Sequence, residues 1–182
     1  FADALIFVSK AQKNLFLKHF SDLFIPSYVI YNPLPELYYM PIEGDNLGYF
    51  GGPSPLKGFS VLLKAWLKVC RKHRARVYAT KMEGLTSLKS LKRIKMLLYG
   101  KLDESSYEDV YRKIKAVVFP SIWQEPLPYV VSEALLRGRL LVASCVGGVP
   151  EIVEGLKGVF MVEPNDANSL TDALDRVLSM DR

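Results

Sequence analysis

Short apolar runs alternate along this chain with longer stretches that are apolar on one side only. Residues 1–8 read as a strand, and Ser9 is placed to cap a helix through about residue 20. A second short strand covers residues 28–31, after which Asn32-Pro33-Leu34-Pro35 breaks regular structure and the chain is loop-like to Asp45. Residues 46–50 form the next strand. Ser54 and Pro55 then suit the cap and first position of a helix to about Lys72, whose Phe59, Leu62, Leu63, Trp66 and Cys70 share one face. Strands follow at 76–79 and 95–99, with a short helix between them over 85–93. Ser105-Ser106-Tyr107-Glu108 has the form of a capping box and opens a helix to about Ile114. The rest repeats the same grammar: a strand over 116–119, a helix carrying Glu133 and ended by Gly138, and a strand over 140–143. A helix with Pro150 and Glu151 in its first turn comes next, then a strand over 158–162 and a helix capped by Asp166. Strand and helix in strict alternation predict a Rossmann-like, doubly wound α/β fold. Its sheet is mostly parallel, with about six strands and helices on both faces.

Such sheets bind ligands where strands hand over to helices, and the polar residues of this chain gather at those places. Gly51-Gly52-Pro53-Ser54-Pro55-Leu56-Lys57-Gly58 follows the strand at 46–50. Glycines permit close backbone approach, a helix start favours an anion, and Lys57 adds charge, which makes this loop the candidate for phosphate. Its spacing is not that of the dinucleotide fingerprint. Glu125 lies in the loop after the strand at 116–119, and Glu133 follows with seven residues between them. Ionised carboxylates only accept hydrogen bonds, which suits the diols of sugars and ribose.

Pro120-Ser121, Glu125 and Glu133-Ala134-Leu135, followed by Gly147-Gly148-Val149-Pro150-Glu151-Ile152-Val153, form a pattern that resembles the retaining nucleotide-sugar glycosyltransferases of family 4. The resemblance implies one half of a two-domain GT-B fold. Residues 46–182 would be the half that binds the nucleotide sugar, and residues 1–45 a connecting segment from an N-terminal acceptor domain outside this sequence. It further implies that Glu133 holds the ribose diol and that Glu125 holds sugar hydroxyls and shapes the field at the anomeric carbon. Lys57 would stabilise the leaving diphosphate beside Gly51 and Gly52. Lys101 and Leu102 would hold the base through their backbone, and the amides of Leu127 and Tyr129 would face the donor. The donor would be a nucleoside diphosphate sugar, with no cofactor and no metal, and the acceptor a saccharide or a lipid-linked one. Transfer by residues 1–182 alone is not expected. Two positions depart from the family pattern: Gly52 stands where the family has Arg, and Pro128 stands where it commonly has Gly. Both departures favour a second reading, a nucleotide-sugar-binding module without catalysis.

Composition narrows the remaining classes. Cys70 and Cys145 are far apart and lack metal spacing, so they read as two buried thiols of a reducing, cytoplasmic protein. His19 and His73 stand alone, and no Asp-x-Asp occurs. No apolar run approaches the ~20 residues of a membrane span. The net charge of +5 is unevenly placed. From Lys57 to Lys101 thirteen Lys or Arg stand against one acid, Glu83, while acids dominate thereafter. That basic half admits peripheral contact with an anionic membrane. It lacks the interleaved aromatics of a nucleic-acid platform, so no nucleic acid is expected as partner. Glu151 reads as an acid that complements the dipole of its own helix.

Overall fold

The computed structural model describes residues 2–34, 36–83, 91 and 93–181. Two parallel sheets are present among them. The first pairs β1 (Leu5–Phe7) with β2 (Ser27–Val29), and α1 (Lys10–His19) crosses between them. The second has six strands: β3 (Asn46–Tyr49), β4 (Val77–Ala79), β5 (Met96–Leu98), β6 (Ile114–Phe119), β7 (Leu140–Ser144) and β8 (Val159–Val162). Their spatial order is β5-β4-β3-β6-β7-β8, all parallel. The order reverses between β3 and β6, and that switch point opens a crevice at the carboxyl edge.

Period-two alternation in the strands divides the core between the two faces. Leu47, Val77, Ala116, Val118 and Val142 point to one side, against α2 (Phe59–Val69) and α6 (Ala167–Ser179). Leu62 and Trp66 of α2 and Leu170 and Leu174 of α6 are fully buried there. Tyr78, Val117, Leu141 and Ala143 point to the other side, where α3 (Glu104–Lys113), α4 (Tyr129–Leu136) and α5 (Val149–Val153) pack. Tyr111, Val131, Ala134 and Val149 fill that layer. The expected doubly wound sheet with helices on both faces is thus present.

Several local expectations change. Ser54 makes no capping bond and Pro55 opens only a single 3-10 turn, Pro55–Lys57. Gly58 then adopts φ 76°, and a Cβ there would lie 1.8 Å from the carbonyl oxygen of Pro120. The chain therefore turns at Gly58 and starts α2 one residue later. The capping box expected at Ser105 is replaced by Asp103, whose carboxylate accepts from the amide of Ser106 at 2.9 Å. An ionised acceptor at the helix start outcompetes a hydroxyl two residues further in. Cys70 is buried as expected, but Cys145 is exposed, because the chain leaves the sheet immediately after β7. Most of the helix expected over 85–93 lies outside the described residues.

Candidate functional site

The crevice at the switch point is built from the loops that follow β3 and β6. Tyr49, the last residue of β3, donates its hydroxyl to the carbonyl of Gly52 at 2.8 Å and reaches the carbonyl of Lys57 at 3.2 Å. It pins the glycine loop from beneath, and burial pushes its phenol far above the ordinary range, so it stays a donor. The β6 loop lies alongside, with the amide of Ile122 bonded to the carbonyl of Leu56 at 2.9 Å. This brings Lys57 Nζ and Glu125 Oε1 together as an ion pair. Ser121 Oγ is 3.4 Å from the same carboxylate oxygen. Glu125 is buried and Lys57 is half-buried, so this pair is shielded more than a surface salt bridge would be.

The loop after β7 closes the other side. The amide of Gly148 donates to the carbonyl of Glu125 at 2.9 Å, and the amide of Gly147 donates to Gln124 Oε1 at 2.8 Å. Gly147 has φ 50°, and a Cβ there would stand 2.0 Å from the Glu125 carbonyl oxygen. Only glycine lets the two loops approach this closely.

Glu133 lies on α4, half-buried. Its Oε2 accepts from the Tyr107 hydroxyl at 2.8 Å. Tyr107 packs its ring against Phe50 (centroids 5.1 Å apart) and Tyr111 (5.2 Å), and the Arg137 guanidinium lies 4.5 Å from the Tyr111 ring centre. Burial and the neighbouring Glu133 raise the Tyr107 phenol well above its usual range. Pro128 serves as N-cap of α4, where its missing N–H costs no intrahelical bond, and its carbonyl accepts from Val131 at 3.1 Å. Leu127 is half-buried and Tyr129, the first helical residue, is exposed. Its amide has no carbonyl one turn back to bond. Lys101 is exposed, whereas Leu102 packs into the second core layer.

Gly51 and Gly52 have opposite surroundings. A Cβ on Gly51 would meet the Tyr49 hydroxyl at 2.5 Å. Gly52 has φ 68°, and a Cβ built on it would lie 3.1 Å from the carbonyl oxygen and 3.6 Å from the Cβ of Lys81. The left-handed backbone favours glycine at 52, and the backbone and Cβ of Lys81 lie beside that position.

The acid at 151 does something other than expected. Its carboxylate leaves its own helix and caps α1, accepting from the amides of Lys10 at 2.9 Å and Ala11 at 2.7 Å and from the Tyr31 hydroxyl at 2.8 Å. Burial pushes its pKa up, but the Ala11 and Lys10 amides and Tyr31 outweigh that and leave it below the usual carboxylate value. α1 is thereby fixed across the β6 loop. Between them lies a cavity of about 460 Å³, lined by Ala11, Leu15 and Lys18 on one wall and by Trp123, Glu125 and Pro126 on the other. Glu151, Tyr107 and Gln124 were not legible as site residues, since each acts through a partner distant in sequence, and Tyr49, whose partners lie three and eight residues on, read only as part of its strand. Among the described residues no cluster of His, Cys, Asp and Glu could hold a metal ion, and no helix is long and apolar enough to cross a membrane.

A parallel sheet in this order, with polar loops converging at its switch point, defines a doubly wound, Rossmann-like α/β domain. Solved structures share this fold. Sucrose-phosphate synthase from Thermosynechococcus elongatus superposes with a TM-score of 0.78 at 22% identity, covering 98% of this chain and 50% of that one. Anabaena Alr3699/HepE, solved in complex with UDP-glucose, gives 0.78 at 21% identity and covers 98% and 55%. Residues 44–180 match the glycosyl transferases group 1 family, and the chain belongs to it. Among relatives, a glycosyltransferase of Methanocaldococcus jannaschii is 31% identical over 129 residues, covering 68% of this chain and 33% of that protein. One from Haemophilus influenzae is 26% identical over 186 residues, covering 97% and 52%. The chain thus spans between about a third and a half of the length of these relatives.

Proposed function

We propose that this chain is the donor half of a retaining glycosyltransferase of family 4, binding a nucleoside diphosphate sugar for transfer to a saccharide or lipid-linked acceptor. The observation that carries the reading is the Lys57–Glu125 pair at the switch point. A cation aimed at a diphosphate and a carboxylate aimed at hydroxyls need to be adjacent, because the bond that breaks joins the sugar to the phosphate. Lys57 stabilises charge that develops on the leaving diphosphate. Glu125 orients sugar hydroxyls and favours positive charge at the anomeric carbon. Glu133 holds the ribose diol, the backbone at Lys101 and Leu102 the base, and the helix-start amides at Leu127 and Tyr129 the donor. Retention follows when departure and attack share one face, with the leaving phosphate oxygen taking the acceptor proton and no metal taking part. Lys81, whose backbone and Cβ lie beside Gly52, is the lysine we assign as the second cation that a diphosphate calls for.

In this reading residues 1–45 connect to an acceptor domain, and residues 46–182 hold the donor. The protein works in the cytoplasm, where nucleotide sugars are made, with an anionic membrane face as its peripheral contact. The missing Arg at Gly52 and the Pro128 change favour a second reading, a module that binds nucleotide sugar without transferring it. A thermal-shift panel of UDP, GDP and ADP tests what both readings share. Stabilisation of ~2.7 kcal/mol is expected at a hundredfold excess over the dissociation constant. No rise in melting temperature with any of the three at millimolar concentration would refute both. Sugar transfer by a longer parent protein carrying the same residues then separates them, since the binding module transfers none.

A further inference from the structure

We infer that Tyr107 is a positioning residue that sets Glu133 for recognition of the ribose diol, an assignment that rests on the donor-binding reading above. A glutamate on a helix has three side-chain torsions, and ordering them on binding costs affinity. Here the Tyr107 hydroxyl donates to Glu133 Oε2 at 2.8 Å and selects one arrangement in advance. A carboxylate has about four acceptor sites. One is used by Tyr107, and Oε1 with the remaining lone pair of Oε2 is left for the two hydroxyls of a diol.

The phenol itself is held on several sides. Its ring meets Phe50 at 5.1 Å in a tilted arrangement and Tyr111 at 5.2 Å edge-on. Phe50 and Tyr111 stack with centroids 5.0 Å apart and planes 8° from parallel. The Arg137 guanidinium, one helical turn beyond Glu133, lies over Tyr111 and 5.8 Å from the Tyr107 ring centre. Phe50 directly precedes Gly51, and Tyr107 lies on the helix that follows Lys101 and Leu102. One aromatic cluster therefore supports the glycine loop, the loop after β5 and the Glu133 carboxylate together. Rigid support of this kind is what a precise binding group requires.

The test is calorimetric titration of the protein with UDP, GDP and ADP and with their 2′,3′-dideoxy counterparts, for wild type, Tyr107→Phe, Glu133→Ala and the double variant. Phenylalanine keeps the ring stack and removes only the hydroxyl. Wild type is expected to prefer the ribonucleotide about tenfold. Tyr107→Phe is expected to lose most of that preference while binding the dideoxy ligand as wild type does, which also reports an intact site. The double variant should discriminate no worse than Glu133→Ala alone, because the tyrosine acts through the carboxylate. An unchanged ribo-to-dideoxy ratio in Tyr107→Phe overturns the inference, as does an equal loss of both affinities, which marks a merely structural ring. Wild-type binding without diol preference also overturns it and leaves the donor-binding reading standing. No nucleotide binding by wild type refutes that reading itself.

Discussion

Replacing Glu151 with alanine tests how the N-terminal segment is attached to the sheet. α1 has ten residues and buries none of them, so little packing holds it in place. An isolated helix of that length is marginal in water. Its first-turn amides are satisfied from outside: those of Lys10 and Ala11 by Glu151, and that of Gln12 by Ser9 Oγ at 3.1 Å. Alanine removes three charge-assisted bonds, two from the helix amides and one from the Tyr31 hydroxyl, and a favourable charge at the positive end of the helix. Hydrogen bonds to charged groups contribute roughly 1.5–3 kcal/mol each when shielded, but the Lys10 bond is exposed and water replaces part of it. Loss of a cap costs about 0.5–2 kcal/mol. We expect a net loss of about 1–2 kcal/mol, confined to α1, which corresponds to amide exchange across residues 10–19 faster by about 5–30-fold. Glu151→Gln, which keeps one acceptor oxygen, should recover part of the protection. The Glu151 pKa lies below its usual value in the folded protein, so its contribution is complete above the ordinary carboxylate pKa and fades as pH falls through the lower folded value. The difference between wild type and Glu151→Ala should therefore shrink in acid. Exchange in α1 that is unchanged at neutral pH, or a difference that does not depend on pH, refutes the capping argument.

Gly147→Ala should lower the melting temperature by several degrees more than Gly155→Ala. Both glycines have positive φ, but an added Cβ meets the Glu125 carbonyl at 2.0 Å in the first and nothing within 4 Å in the second. Two calorimetric scans decide it, the shared backbone strain being about 1–3 kcal/mol. Lys81→Ala should weaken nucleoside diphosphate binding by up to about tenfold, and less at high salt, while Lys64→Ala on the exposed face of α2 leaves it unchanged. Equal titration curves for the two variants would exclude Lys81 from the phosphate site. EDTA should alter neither the melting temperature nor nucleotide affinity, and a drop in either would point to a metal.

The alternation of apolar runs and amphipathic stretches was enough to set the parallel sheet, because strand and helix periods are local properties of the chain. The Glu125 and Glu133 pattern and the glycine loop with Lys57 were legible for the same reason: short segments at a fixed spacing carry them. What stayed hidden depended on contacts across distance. Ser54 and Ser105 have the chemistry of caps, but the close approach of Gly58 to Pro120 and the carboxylate of Asp103 decided where those helices begin. Glu151 looked like an acid serving its own helix, and only the folded chain brings it to the amides of residues 10 and 11. Tyr107 looked like part of a capping box, and its hydroxyl found Glu133 because α3 and α4 pack on the same face of the sheet. A sequence determines which groups can donate, accept or turn. The partner each group meets is decided by the packing of elements against one another, since a hydrogen bond requires an approach within about 3 Å that no pattern along the chain specifies.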